Sequence, residues 1–327
     1  MIRQTVKQVV DQCGSRADKP YRSYPNVDDQ RTANNLFMPF FKPKFGLDFL
    51  SGKPIFTIGS CFAREIEERL YALGCNIPTL SKDMVFPEQL GEQGVVRPNG
   101  PINEFNPGCI GQKIIAALNG YNYPEETLYR VEGGGYIDLL LPTSAPVTLN
   151  RAFNRRDQIY QMYQHLNDSD VVIITLGFVE SWYDTKTSMW LNRAPPLTAQ
   201  NSDRFEFRML DVADSIHEME PAIAALTGLG KKVVITVSPV PILMTFTDRD
   251  CVAANELTKS TLRVVAEYFS NNYSNVDYFP SYEAVKFLGS SAYYDDNIHV
   301  RSDIVHAVVD KMVELYSNPK FQNSTQI

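Results

Sequence analysis

Two short segments near opposite ends of the chain contain side chains that could carry out covalent chemistry. In the first, Gly59-Ser60-Cys61 comes directly after the apolar run 55–58 and directly before a helical pattern. A nucleophile at such an elbow is exposed by the sharp turn, and the helix N-terminus favours negative charge on it or on its intermediate. Cys61 fits a thiolate nucleophile, and Ser60 fits a hydroxyl nucleophile that needs an adjacent base. The structural alternative makes Ser60 the helix N-cap and Cys61 a small buried side chain.

His299, in the second segment, is the histidine best suited to act as that base. The other three histidines fall within predicted helices, whereas His299 follows a polar, aromatic loop just before the last helix. Asp296, three residues ahead, could accept the imidazole Nδ1–H and leave Nε2 ready to take a proton. The alternative is a surface histidine beside acidic residues. The pair indicates a catalytic base only in combination with a nucleophile such as Cys61 at the elbow.

Four apolar, β-branched runs predict the strands that position these residues. They show no alternation of apolar and polar positions, so we expect a parallel sheet covered on both faces. The predicted strands are Ile55–Ile58, Val171–Leu176, Lys232–Val237 and Val276–Phe279, and Cys75–Leu80 could add one more. Helical patterns lie at 62–73, 110–119, 153–168, 211–229, 250–272 and 302–316. This alternation predicts a three-layer, doubly wound α/β fold with a mostly parallel, flavodoxin-like sheet.

The rest of the chain is divided by its composition. Residues 1–53 are predicted to be an irregular N-terminal segment packed on the core, because the run 37–41 is too apolar for a solvated tail. Residues 54–316 are predicted to form the α/β domain, and 317–327 a tail. Within the domain, 81–150 is rich in Pro, Gly and Asn and is expected to be an irregular insertion that partly roofs the site.

Charge and cysteine content exclude several classes of function. A net charge of -7 argues against a nucleic-acid-binding protein, which needs a basic stripe. The five cysteines are scattered and include no C-x-x-C pair, so neither a disulfide framework nor a metal site is predicted. The N-terminus lacks the apolar core of a signal peptide, and no apolar run reaches the length of a membrane span. We therefore expect a cytoplasmic protein; the sequence gives no indication of its oligomeric state.

The run 58–63 resembles the signature of the GSCFA family, which belongs with the SGNH hydrolases. The resemblance continues through the blocks 175–182, 236–241, 279–283 and 296–299, and it spans roughly residues 36–316. SGNH enzymes carry a Gly-Asp-Ser turn after the first strand and an Asp-x-x-His block near the end. On that pattern the resemblance implies Gly59 in the oxyanion hole, Cys61 as nucleophile and His299 as base, oriented by Asp296. A shift of one residue would make Ser60 the nucleophile.

This sequence departs from the SGNH pattern at the oxyanion hole. Val179 stands in the block 177–180 where the family pattern has an asparagine, and valine has no side-chain donor. The resemblance therefore implies that Asn106, or the backbone near Gly177, supplies the missing hydrogen bond.

Glu180 and Trp182 follow the second strand and suggest a sugar-binding pair. A carboxylate can accept hydrogen bonds from sugar hydroxyls, and an aromatic ring can stack on the apolar face of a sugar. The alternative is a structural glutamate paired with Arg155 or Arg156, with Trp182 packed in the core.

These residues favour an acyl-transfer enzyme in which Cys61 or Ser60 attacks and His299 acts as general base and acid. A thioester intermediate suits exchange between a thiol carrier and a hydroxyl, so we predict an O-acyltransferase acting on a carbohydrate or envelope glycan. The expected partners are a small-molecule acyl donor, for which acyl-CoA is a candidate, and a glycan or other hydroxyl acceptor. No cofactor is predicted to be required.

Two other functions remain open. An esterase or deacetylase of short acyl esters could use the same residues. A catalytically inactive SGNH-like domain that binds a glycan or a partner protein is favoured by the missing oxyanion asparagine. Retention of Cys61 together with Asp296 and His299 argues for an enzyme, because a binding domain has no chemical need of that set.

Overall fold

The computed structural model describes residues 3–13, 20–26, 29, 31–33, 36–80, 99–120, 123–142, 145–199 and 203–317. The strands are β1 (Thr32–Ala33), β2 (Leu36–Phe37), β3 (Ile55–Gly59), β4 (Leu128–Arg130), β5 (Tyr136–Asp138), β6 (Val171–Leu176), β7 (Glu180–Asp184), β8 (Met189–Leu191), β9 (Phe205–Met209), β10 (Lys232–Val237) and β11 (Val276–Tyr278). The α-helices are α1 (Val6–Cys13), α2 (Cys61–Ala72), α3 (Pro107–Asn119), α4 (Leu149–Asp168), α5 (Val212–Gly228), α6 (Cys251–Asn272), α7 (Ser281–Phe287) and α8 (Ser302–Tyr316). None of the described helices is long and apolar enough to span a membrane.

The central sheet has four parallel strands in the order β11-β10-β6-β3. All four lie where the sequence predicts them. Every residue of β6 is buried, and its side chains alternate between the two faces: Val172 and Ile174 pack on one, Val171 and Ile173 on the other. Helices α3, α4, α5 and α6 cover the first face, and α2, α7 and α8 cover the second. The predicted three-layer α/β fold with a parallel sheet is therefore confirmed.

The fifth strand predicted over Cys75–Leu80 is wrong. Only Asn76 pairs with the sheet: it forms a parallel bridge with Pro54 and accepts the Ile55 N–H at 2.9 Å. A 3₁₀ turn, Pro78–Leu80, follows at once, because proline has no N–H to continue the ladder. This bridge still lies beside β3, on the edge where a flavodoxin-like sheet places its second strand.

Two segments outside the alternating pattern contribute to the core. Leu36, Phe45 and Phe49 are buried against the layer that contains α8. Helix α3, which lies inside the region expected to be an irregular insertion, packs on α5 so closely that a Cβ at Gly111 would collide with the Glu218 carbonyl. Residues 81–98, on which much of the expected roof depends, lie outside the described residues.

Candidate active site

The elbow is built by the exit of β3 into α2. Gly59 has φ +143°, and a Cβ there would collide with the carbonyl of Thr175 on β6, so the tight turn requires glycine. Cys61 is the first residue of α2 and is half-buried, whereas Ser60 is only 2% exposed. Ser60 occupies the N-cap position, but its hydroxyl makes no capping hydrogen bond. The capping interpretation of Ser60 therefore holds for its backbone and not for its side chain.

A buried polar cluster fixes α2 against β3 behind the elbow. The Glu67 carboxylate lies 2.9 Å from the Arg64 guanidinium, and neither side chain is exposed. The same carboxylate accepts hydrogen bonds from the hydroxyls of Thr57 and Thr79 and from the Asn99 amide. Burial raises the pKa of Glu67, and the Arg64 charge opposes that shift. These contacts hold the first turns of α2, and with them Cys61, in a set position on the sheet.

A second buried carboxyl lies beside the elbow. Glu104 donates its backbone N–H to the Gly59 carbonyl at 2.8 Å, and its side chain lies 3.7 Å from the Lys113 ammonium. Burial raises the pKa of Glu104 to about 8, against the opposing charge of Lys113. The backbone hydrogen bond from Glu104 to Gly59 holds the segment around Glu104 against the turn that presents Cys61.

His299 and Asp296 form a hydrogen-bonded pair on the loop before α8. His299 Nδ1 lies 2.6 Å from Asp296 Oδ2, while Oδ1 of the same carboxylate accepts the backbone N–H groups of Ile298 and His299. These hydrogen bonds lower the pKa of Asp296 to about 2, so it is ionised at neutral pH. Asn297 takes a left-handed conformation, with φ +56°, which closes the turn between them. An ionised aspartate at Nδ1 favours the tautomer that carries its proton there, which leaves Nε2 able to accept a proton.

Cys61 and His299 line the same two pockets at the carboxyl end of the sheet. The first, the apolar pocket, has a volume of about 350 Å³ and is also lined by Ser60, Gly177 and Ser238. The second, the side pocket, has a volume of about 270 Å³. Its lining residues are Cys61, Phe62, Glu65, Gly100, Asn103, Val240, His299 and Val300. The two predicted segments, more than two hundred residues apart in sequence, therefore meet where the two pockets join.

The two groups that the resemblance implies as oxyanion donors are both engaged elsewhere in the structure. Asn106 does not line either pocket: it is the N-cap of α3, where its Oδ1 accepts the Cys109 N–H at 2.8 Å. The Gly177 N–H donates to the Phe105 carbonyl at 2.9 Å and is not directed at the elbow. Instead Asn103 supplies the side-chain amide among the described residues of the side pocket.

Lys259 is a buried cation close to the elbow. Its ammonium, on α6, donates to the carbonyls of Gly177 at 2.7 Å and Val240 at 2.8 Å, and so connects the segments that leave β6 and β10. Burial lowers the pKa of Lys259 to about 7, while the negative charge of a Cys61 thiolate acts in the opposite direction. Lys259 thus bonds the backbone of Gly177 and Val240, two residues that line the apolar pocket together with Cys61.

Glu180 and Trp182 are placed differently from the predicted sugar-binding pair. Glu180 lines the apolar pocket, but its two oxygens accept the Thr245 hydroxyl at 2.5 Å and the Phe246 N–H at 2.8 Å. Trp182 packs edge-on against Phe246 and is not among the residues that line either pocket. The alternative ion pair of Glu180 with Arg156 is also wrong, because the Arg156 guanidinium binds the Asp138 carboxylate at 2.8 and 2.9 Å.

The comparison with protein families agrees with the five sequence blocks. The sequence model of the GSCFA family matches residues 54–312, which include the elbow and the Asp296–His299 pair. The chain belongs to the GSCFA family. No curated protein is significantly similar to this GSCFA chain.

Two solved structures resemble this GSCFA protein at low sequence identity. One is a mutant of Axe2, an acetyl-xylooligosaccharide esterase from Geobacillus, with 11% identity, a TM-score of 0.34 and coverage of 83% of this chain and 97% of that chain. The other is a carbohydrate esterase family 3 protein from Talaromyces cellulolyticus, with 12% identity, a TM-score of 0.31 and coverage of 81% and 98%.

The described residues of this GSCFA protein include no group of three or more His, Cys, Asp or Glu side chains that could hold a metal ion. Two residues near its site, Asn103 and Lys259, are not predicted from the sequence. Asn103 lines the side pocket, whereas Asn106, directly before Pro107, has the signature of a helix cap followed by N1 proline. The burial of Lys259 cannot be predicted from the sequence, since a lysine in an amphipathic helix ordinarily faces solvent.

Proposed function

We propose that this GSCFA protein is an acyl-transfer enzyme with Cys61 as its nucleophile. The observation that carries the proposal is the meeting of Cys61 and a carboxylate-bound histidine in the same two pockets, at the edge of the sheet where parallel α/β proteins bind ligands. The half-buried thiol is more accessible than the Ser60 hydroxyl, and it stands at the N-terminus of a helix of twelve residues. Both features favour a reactive thiolate.

The proposed reaction has two steps. His299 takes the proton from the Cys61 thiol, the sulfur forms a bond to the acyl carbon, and the bond from that carbon to the leaving group breaks as His299 returns the proton to the leaving group. In the second step His299 takes the proton of a hydroxyl, whose oxygen forms a bond to the acyl carbon; the bond from that carbon to the Cys61 sulfur breaks, and His299 returns the proton to the sulfur. The first-turn N–H groups of α2 and the Asn103 amide are the proposed donors to the oxyanion.

We favour transfer to a hydroxyl, with a carbohydrate or envelope glycan as acceptor and an acyl-CoA or similar thioester as donor. A thioester intermediate is close in energy to a thioester donor, so the first step is nearly balanced and the second is driven by formation of an oxygen ester. Hydrolysis of short acyl esters is the second candidate, and the 67% exposure of the His299 side chain supports it, because water can reach the base.

Trapping the acyl-enzyme tests the nucleophile. After brief reaction with an acetyl donor and acid quench, we expect the acyl group on the peptide that contains Cys61, with loss on treatment with neutral hydroxylamine, to which thioesters are more labile than serine esters. Cys61→Ala should abolish the adduct and Ser60→Ala should retain it. An adduct that persists in Cys61→Ala and disappears in Ser60→Ala would assign the attack to the hydroxyl.

Acceptor dependence separates the two reactions. With acetyl-CoA as donor, we expect oligosaccharide acceptors to accelerate release of CoA and to yield acetylated sugar. Equal turnover with and without acceptor, with acetate as product, would favour the esterase. Absence of both an adduct and turnover in the wild-type protein would favour the glycan- or protein-binding domain.

A further inference from the structure

The lining of the apolar pocket is mostly hydrocarbon. Besides Cys61 and His299 it includes Phe105, Phe178 and Ile298 and six apolar residues between positions 240 and 246. Phe105 and Phe178 stack with ring centroids 5.0 Å apart and form a flat apolar wall. The hydroxyls of Ser60 and Ser238, which have no hydrogen-bond partner within the described ranges, belong to the same lining.

The segment 240–247, the rim loop, keeps apolar side chains in solvent although its backbone is held in place. Glu180 binds one part of it through Thr245 and Phe246, and Asn255 accepts the Ile242 N–H at 3.1 Å. Leu243 is nevertheless 75% exposed, Met244 61% and Phe246 49%. Exposed apolar side chains grouped at the mouth of a pocket mark a binding surface, because water disfavours such a group.

We propose that the apolar pocket and its rim loop bind the hydrocarbon chain of the acyl group, so that this protein transfers chains well beyond acetyl. The inference rests on the proposed function, which puts the acyl carbon at Cys61. A sugar fits this pocket poorly, since most of the described lining has no group that could bond a sugar hydroxyl, and Glu180 already accepts one hydrogen bond from the rim loop at each oxygen. An aliphatic chain needs no polar partner and gains by covering the pocket lining and the exposed side chains of the rim loop.

The expected preference follows from the hydrophobic effect. Burial of one methylene stabilises a complex by about 0.8 kcal/mol, which corresponds to about fourfold in affinity or in kcat/KM. For p-nitrophenyl esters we therefore expect kcat/KM to rise by roughly 100-fold or more from acetyl to octanoyl. This rise is smaller than complete burial of every added methylene would give, because some of the chain stays at the open rim.

Two substitutions on the rim loop test the site. Leu243→Asp and Met244→Asp replace exposed side chains and should preserve the fold, and we expect each to lower the ratio of octanoyl to acetyl kcat/KM at least fivefold. Leu50→Asp is the matched control, because Leu50 is 65% exposed in the loop before β3, at the opposite end of the sheet. A ratio near one in the wild type, or an equal ratio in all four proteins, would overturn the acyl-chain site.

A binding measurement keeps this inference separable from the proposed function. Calorimetry of Cys61→Ala with decanoate needs no turnover, and we expect binding that Leu243→Asp in the same background weakens at least fivefold.

Turnover without chain preference and without decanoate binding would overturn the site and leave the acyl-transfer proposal intact. Decanoate binding weakened by Leu243→Asp, with no turnover of any ester, would support the site while the catalytic proposal failed. Vesicle binding lost in the rim-loop variants, with the chain preference unchanged, would reassign the rim loop to a membrane surface and overturn the inference.

Discussion

Replacement of Lys259 by methionine tests whether its ammonium is as strongly desolvated as its surroundings indicate. Lys259 is 1% exposed, and its pKa is lowered by burial from 10.5 to about 7. In the unfolded chain the same amine keeps the ordinary pKa of lysine. Between these two values the unfolded state binds a proton that the folded state has released, so the free energy of unfolding rises with pH. This contribution is present at high pH and is lost as the pH falls through about 7.

The size of the effect follows from the two pKa values. One unit of pKa difference corresponds to about 1.4 kcal/mol. At pH 7 the folded protein holds about half a proton on Lys259, and at pH 9 almost none, so integration over this interval gives about 2 kcal/mol. The loss of hydrogen bonds to the Gly177 and Val240 carbonyls changes the stability of Lys259→Met at both pH values and cancels from the difference.

Urea unfolding at pH 7 and pH 9 provides the assay. We expect the stability of the wild type relative to Lys259→Met to be about 2 kcal/mol greater at pH 9 than at pH 7. Lys186→Met is the matched control, because the Lys186 side chain is 59% exposed, and it should show no such difference. Parallel pH dependence of the wild type and Lys259→Met would refute the reasoning and would mean that the two carbonyls keep the ammonium charged up to the ordinary range of lysine.

Two further substitutions address the elbow and the histidine loop. Asp296→Asn should lower kcat/KM for ester turnover by about 10² to 10⁴-fold without loss of fold, since it removes the charge that orients His299; the adjacent, exposed Asp295→Asn is its control, and equal activity in both variants would deny Asp296 that role. Gly177→Ala should destabilise the protein by about 1–3 kcal/mol in urea unfolding and reduce activity, because the new Cβ would lie 2.7 Å from the Phe105 carbonyl and 3.1 Å from Ser60 Cβ. Gly228→Ala, where nothing lies within 4 Å of the new Cβ, should be nearly neutral, and a similar cost at both positions would argue against close packing at the elbow.

The sheet could be predicted from the sequence because each of its strands is indicated by its own short run of residues. A continuous β-branched run has few alternatives to a doubly covered strand, and β6 and β10 begin and end at the predicted residues. The strand expected after Cys75 failed for an equally local reason, since Pro78 cannot continue the ladder beyond Asn76.

The candidate site was predicted in part. Its motifs could be located because strand ends and spacing determine where Cys61 and Asp296 lie in a parallel α/β fold. Asn103 lines the side pocket and Asn106 caps α3, and the composition of the segment does not decide which asparagine lies at the pocket. Lys259 could not be found at all, because its burial is produced by carbonyls from two other elements.

Cys61 lines two pockets at once, and under the proposed acyl transfer this sharing has a kinetic consequence. With an acyl chain in the apolar pocket, the side pocket is the other pocket among the described residues that Cys61 lines. The departing part of the donor and the incoming acceptor would then use the same space in turn. The proposal therefore predicts a ping-pong scheme: double-reciprocal plots at several acceptor concentrations should run parallel, and excess acceptor should inhibit by occupying the unacylated protein.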